Sequence, residues 1–208
     1  MQPDNFPKEY MDRLIAVTNR HLTDESRTFM QQIEKIGHAH PHALILREKD
    51  LTDYEYRIIA KDVLKICNNS NVTCILHTFA DIAVELGCRR IHLPLNLLKA
   101  IADNDYKTDK GNDLRTCFDV IGTSVHSIED AVSAEKLGAS YAPAGHIYAT
   151  DCKKGLPPRG TEFLKNVCEQ VSIPVYAIGG IHFDTAQIDE VMQYGADGAC
   201  IMSGFMKY

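Results

Sequence analysis

The chain has 208 residues and a mass of 23.3 kDa, a size for one domain or two small ones. Hydrophobic residues make up 45% and charged residues 24%, which supplies a packed core and excludes wholesale disorder. The net charge of −6 sets an overall field that disfavours nucleic acid and anionic lipid, while small anions can still be held locally.

No apolar run approaches a membrane span, and the start MQPDNFPKEYMDR lacks the pattern of a signal peptide. The seven cysteines are odd in number and form no CxxC pair. They read as reduced thiols, and the expected location is the cytoplasm. Neither a nucleic acid nor a membrane is an expected partner.

Short apolar segments alternate with helical stretches along the chain. The first strand candidate is 14–18 (LIAVT), followed after a long interval by HAHPH at 38–42 and a second strand at 43–47 (ALILR). A helical stretch at 52–68 leads to strands at 73–77 (TCILH) and 90–93 (RIHL). The short segment 97–102 and the polar stretch 103–113 (DNDYKTDKGND) come next, the latter read as a surface excursion. The fifth strand is 120–124 (VIGTS). Ser127 then opens SIEDAVSAEKLG, with acids in the first turn and a glycine at the end, a helix with both its stop signals. Strands at 141–145 (YAPAG), 175–179 (VYAIG) and 198–202 (GACIM) alternate with helices at 161–170 and 185–194.

Nearly continuous apolar strands separated by helices predict parallel strands covered on both faces. Eight of them predict an α/β fold, a compact (β/α)8 TIM barrel forming a single domain over 1–208. A doubly wound open sheet is the rival, but no GxGxxG follows the first strand and no GxxxxGK[ST] occurs. Only SGFMKY follows the last strand, so the final helix is short or missing. The expected cover for that strand is the N-terminal segment 1–12 or the second subunit of a homodimer, with a monomer whose surface loop folds over as the alternative.

In such a barrel the chemistry sits at the C-terminal ends of the strands. Arg47 and Lys49, two apart after the second strand, point the same way in extended chain and suit a phosphate or carboxylate. A surface pairing with Glu48 and Asp50 is the alternative. Ser124 and His126 share a parity after the fifth strand, and a histidine there suits proton transfer. The loop GHIYATDCKKGLPPRG, with Thr150, Lys153, Lys154 and Arg159, suits a lid over an anion. Cys152 lacks a local base that would make it a nucleophile. Gly179 and Gly180 end the seventh strand, and Met202, Ser203 and Gly204 end the eighth. Glycine turns at these two places form the usual phosphate cradle of barrels. His77 and His92 end central strands and can reach the mouth. No carboxylate cluster ends strands three and four, so no metal site is expected.

Taken in order, AVTNR, LREKD, GTSVHSIEDAVSAEKLGASYAPAGHIYAT, IPVYAIGGI and GADGACIMSG resemble the thiamine phosphate synthase superfamily. The resemblance runs from Leu14 to Gly204. It implies a small phosphorylated thiazole as partner. Synthases of the superfamily carry an Asn-Asp pair after strand three and a glycine-glutamine-glutamate-aspartate run after strand four, which serve magnesium pyrophosphate. Here those places hold His77 and Thr78, and Pro94, Leu95, Asn96 and Leu97. The loop after strand six and His126 are similar to those of the thiazole tautomerase branch. This resemblance implies an isomerase that makes the aromatic carboxythiazole phosphate without metal or cofactor, with His126 as the catalytic proton shuttle. On that reading the phosphate lies on Gly179, Gly180, Ser203 and Gly204, and the ring carboxylate faces Arg47, Lys49 or the Lys153 region. A thiamine phosphate synthase using magnesium, or a non-catalytic binder of thiazole phosphate, are the alternatives.

Overall fold

A computed structural model describes residues 3–103, 114–150 and 153–208. Most of the polar excursion at 103–113, together with Asp151 and Cys152, lies outside the described residues. The strands are β1 (Leu14–Val17), β2 (Ala43–Leu46), β3 (Thr73–His77), β4 (Arg90–His92), β5 (Val120–Gly122), β6 (Ala142–Gly145), β7 (Val175–Ile178) and β8 (Gly198–Ile201). All ladders are parallel, in the order β5-β4-β3-β2-β1-β8-β7-β6. Isolated parallel bridges at Gly122–Tyr141 and Val125–Ala144 join the two ends, which closes the expected (β/α)8 barrel.

Alternation within each strand divides the core in two. Ile15, Val17, Ala43, Ile45, Ile75, Tyr141 and Cys200 pack inside the barrel. Their neighbours Leu14, Ala16, Leu44, Leu46, Cys74 and Leu76 face the outer shell of helices. Both sets are buried, which is why the strands read as unbroken apolar runs.

The helices in chain order are α1 (Lys8–Met11), α2 (Phe29–His38), α3 (Asp53–Asn69), α4 (Ala80–Glu85), α5 (Leu95–Ala102), α6 (Leu114–Cys117), α7 (Ile128–Lys136), α8 (Gly160–Gln170), α9 (Thr185–Gln193) and α10 (Ser203–Met206). Their starts are chemically specified. Thr28 with Gln31, and Thr52 with Glu55, form reciprocal capping boxes at α2 and α3. Ser127 accepts the Asp130 amide at 3.0 Å and caps α7, as its sequence predicts.

α3 buries Tyr56, Ala60, Val63 and Cys67, at the spacing of one helical face. Tyr56 also ties the shell to the site. Its hydroxyl donates to the Leu46 carbonyl at 2.8 Å and accepts the His77 amide at 2.9 Å. Tyr56→Phe keeps the ring and leaves both backbone groups unpaired. A loss of about 1–3 kcal/mol is expected by urea unfolding; an unchanged midpoint would refute this role.

α10 is a single turn. Within the described residues, the last strand is covered by the chain itself. Phe6 packs edge-on against Phe183 at 5.4 Å, and Phe183 against Phe205 at 4.8 Å. The Gln32 amide donates to the Phe205 carbonyl at 2.6 Å, and the Tyr208 hydroxyl to the Lys35 carbonyl at 2.7 Å. The N-terminal segment and α2 therefore do the work of a full eighth helix.

Candidate active site

A cavity of about 370 Å³ opens at the C-terminal ends of the strands. Its apolar floor includes Val17, Ile45, Ile178 and Cys200, the uppermost inward residues of four strands. Above them the wall is polar and contains no carboxylate among the described residues.

Arg47 and Lys49 line this wall. The acids beside them point elsewhere and are already engaged. Glu48 is buried and accepts the Thr18 hydroxyl at 2.7 Å and the Arg20 amide at 3.1 Å, with the Arg20 guanidinium at 3.2 Å. Asp50 takes Arg20 at 2.6 Å and His21 at 2.8 Å, which hold its carboxyl well below the usual range. The surface-pair alternative for Arg47 and Lys49 thus fails, because Arg20 and His21 consume both acids. Partial burial, and then the adjacent Arg47, pull the Lys49 ammonium pKa down. A ligand anion would relieve both effects.

His77, Ser124 and His126 also line the cavity, with His77 at the end of the strand next to β2. His126 is not oriented by an acid. Its Nδ1 lies 2.9 Å from the Gly145 carbonyl, an acceptor only, so Nδ1 carries the proton in the neutral ring. His92 sits beneath, with Nδ1 3.0 Å from the Tyr141 hydroxyl and Nε2 3.0 Å from the Ser124 hydroxyl. The His77 and His92 rings stack at 5.1 Å. Burial, with His92, Lys49 and Arg47 adding to it, pushes His77 down to about 2. Burial, then Lys49 and Arg47, takes His92 to about 3. Both rings are therefore neutral near pH 7.

Gly179, Gly180, Met202 and Ser203 also border the cavity. The two glycines have φ +99° and +71°, where side chains are strained. Close packing adds a second reason. A Cβ on Gly179 would stand 2.4 Å from the His146 Cβ, and one on Gly180 2.4 Å from the Ala149 carbonyl. Gly180→Ala is expected to displace the loop at 146–149 and to lower stability by about 1–3 kcal/mol by urea unfolding; an unchanged midpoint would refute this. Gly204 departs from the expected cradle. It lies outside this cavity, and its Cα faces Ile201 and Phe183, so its smallness serves packing of the last turn.

The loop after β6 brings Thr150 and Lys153 to the cavity. It is pinned at both ends: the Ile147 and Tyr148 amides donate to Ile178 and Gly179, and the Arg159 and Gly160 amides to His146 and Ile147. His146 also lines the cavity, and its buried Nδ1 has no hydrogen-bond partner among the described residues. Its place directly after the strand-six glycine was the available signal for a site role. His92 belongs to the site as well, through its bond to Ser124.

Magnesium enters with the synthase alternative, so the donor set matters. Magnesium takes hard oxygen ligands in octahedral array, one or two of them carboxylates. Among the described residues no group of three His, Cys, Asp or Glu side chains is placed to hold a metal. The wall offers imidazoles and cations instead. The described residues do not fit the ion.

The fold is thus an eight-stranded β/α barrel with a cationic, glycine-lined mouth. The family model for thiamine monophosphate synthase matches residues 14–205, and the chain belongs to that family. It is 31% identical over 195 residues to a thiamine-phosphate synthase of Clostridium acetobutylicum, covering 94% of this chain and 87% of the relative. It is 31% identical over 197 residues to a putative thiamine-phosphate synthase 2 of Aquifex aeolicus, covering 95% and 99%. The solved thiamine phosphate pyrophosphorylase of Pyrococcus furiosus superposes with a TM-score of 0.71 at 27% identity, over 95% of this chain and 88% of that one. These relatives correct the tautomerase reading: at about this identity, over most of the chain, they carry synthase names. No helix among the described residues is long and apolar enough to cross a membrane.

Proposed function

We propose that the protein is an enzyme of the thiamine-phosphate synthase type, joining a hydroxymethylpyrimidine pyrophosphate to a thiazole phosphate. The observation that carries this reading is the mouth of a synthase-family barrel that sets Arg47, Lys49 and Lys153 around one cavity with no competing acid among the described residues. The reaction breaks the bond from the pyrimidine methylene carbon to the pyrophosphate oxygen, which leaves with the electron pair. The thiazole nitrogen supplies the pair for the new carbon–nitrogen bond. Charge therefore develops on pyrophosphate, and fixed cations beside it lower the barrier.

The thiazole phosphate is assigned to the Gly179–Gly180 turn and Ser203, whose small residues permit close approach of its oxygens. The apolar floor takes the rings. The attacking nitrogen loses no proton, so His126 is assigned to hold substrate through Nε2, and not to shuttle a proton. The test is to mix the purified protein with both substrates in magnesium buffer and follow pyrophosphate release and the coupled product. Release that requires both substrates supports the reading. Absence of coupled product at enzyme concentrations stoichiometric with substrate would overturn it.

A further inference from the structure

We infer that this chain holds the pyrophosphate group of its ligand as a free anion, with Arg47, Lys49 and the Nε2–H of His77 in place of a divalent cation. The inference rests on the synthase reading for the identity of the ligand group, and on the geometry for the way it is held.

Three observations lead to it. The first is chemical. The ends of β3 and β4 carry His77, Thr78, Pro94 and Leu95, none of them a carboxylate, and the described wall of the cavity has none either. Among the described residues a dication would meet two side-chain cations and no fixed anion.

The second is the charge balance along 47–50. The two acids in LREKD are tied to Arg20 and His21. Arg47 and Lys49 have no ion pair with any described residue and border the cavity. Two unpaired cations on one wall supply two positive charges to a ligand anion, the same charge a magnesium ion would bring.

The third is the construction around His77. Thr78 is β-branched yet adopts φ +69°, a conformation that costs about 1–3 kcal/mol. Its amide donates to the His92 carbonyl at 2.9 Å, and its hydroxyl lies 2.6 Å from His77 Nδ1. His92 has both ring nitrogens engaged by Tyr141 and Ser124 and stacks on His77. The His77 ring is thus fixed by its face and by Nδ1. Its Nε2 has no hydrogen bond to a described residue, and the ring borders the cavity. With the Thr78 hydroxyl donating to Nδ1, Nε2 carries the proton and donates to the ligand. A buried neutral donor beside two cations suits an anion and repels a metal ion.

The test is calorimetric titration of the full chain with inorganic pyrophosphate, in EDTA and in excess magnesium chloride. Binding in EDTA, with an affinity that magnesium leaves within about threefold or weakens, is expected. Affinity that appears only with magnesium, or rises tenfold with it, overturns the inference. His77→Ala should weaken binding in EDTA about tenfold, and His77→Gln, which restores an N–H donor, should recover part of it. Equal affinity of all three proteins removes His77 from the site. The nitrogen-15 imidazole spectrum should show His77 as the neutral Nε2–H tautomer, and an Nδ1–H ring would contradict its role as donor. The double variant His77→Asn, Thr78→Asp restores a carboxylate and should gain affinity on addition of magnesium. Persistent indifference to magnesium would place the anion elsewhere. The two readings fail separately. Pyrophosphate bound in EDTA without coupling sinks the synthase assignment alone, whereas coupling with magnesium-dependent binding sinks this one alone.

Discussion

Arg47→Ala is expected to lower kcat/KM for pyrophosphate-releasing coupling by about 10²–10³-fold, the usual effect of removing one fixed donor from a site of developing negative charge. Stability should hardly change, because Arg47 makes no ion pair with a described residue. Arg47→Lys should recover only part of the rate, since an ammonium cannot reproduce the planar two-pronged contact of a guanidinium. Its neighbour shows the opposite behaviour. Glu48 is buried beneath Thr18 and Arg20, so Glu48→Ala should cost on the order of 3 kcal/mol, chiefly by stranding Arg20 and the Thr18 hydroxyl. Kinetics and urea midpoints of the two variants, measured side by side, check the division of labour. A large stability loss at Arg47, or an unchanged rate, would refute it.

Acid should unfold the protein in a window set by His77 and His92. Their pKa values fall from 6.5 to about 2 and about 3 on folding. Below 6.5 the unfolded chain binds protons at both rings while the folded protein keeps them neutral. Stability is therefore complete above about 6.5 and is lost as pH falls towards 3. Each ring contributes about 1.4 kcal/mol per pH unit, so the two together remove about 4 kcal/mol between pH 6.5 and pH 5. Asp50 acts in a separate range. Arg20 and His21 lower its pKa below the ordinary 3.8, so the stability it adds is present above about 3.8 and declines only below it. Urea midpoints at pH 7 and pH 5 test this, with the double variant His77→Gln, His92→Gln expected to flatten the slope. Parallel curves for the two proteins would mean that the rings are not the source.

Why the fold was legible is clear from β1 and β2. Both faces of each are buried, so each reads as an apolar run ending at the residue that turns toward the mouth. The parity of Arg47 and Lys49 followed from the same geometry. What escaped the sequence depends on residues far apart in the chain. Glu48 finds Arg20 across 28 positions, and His92 finds Tyr141 across 49; local spacing carries no trace of either. Gly204 looked like a second cradle glycine because its purpose, clearance from Phe183, lies in another loop. The tautomerase reading failed for a different reason. It was drawn partly from carboxylates that are missing, and a missing carboxylate does not say which bond an enzyme makes.

The seam between β5 and β6 has a consequence for motion. Isolated bridges and the Thr123, Val125, Ser140 and Gly145 amides join the two sides, with Gly122 leaving room for the Tyr141 ring, which would stand 2.1 Å from a Cβ there. Three side-chain bonds straddle the same junction, His92 to Tyr141, His126 to the Gly145 carbonyl, and the Ile121 amide to the Ser140 hydroxyl. The barrel thus behaves as a ribbon fastened by a latch, and two of the latch's pins belong to the pocket's own histidines. A guest that presses on these rings also tightens the fastening, so its arrival should be felt as slower deuterium uptake at the Thr123, Val125 and Gly145 amides.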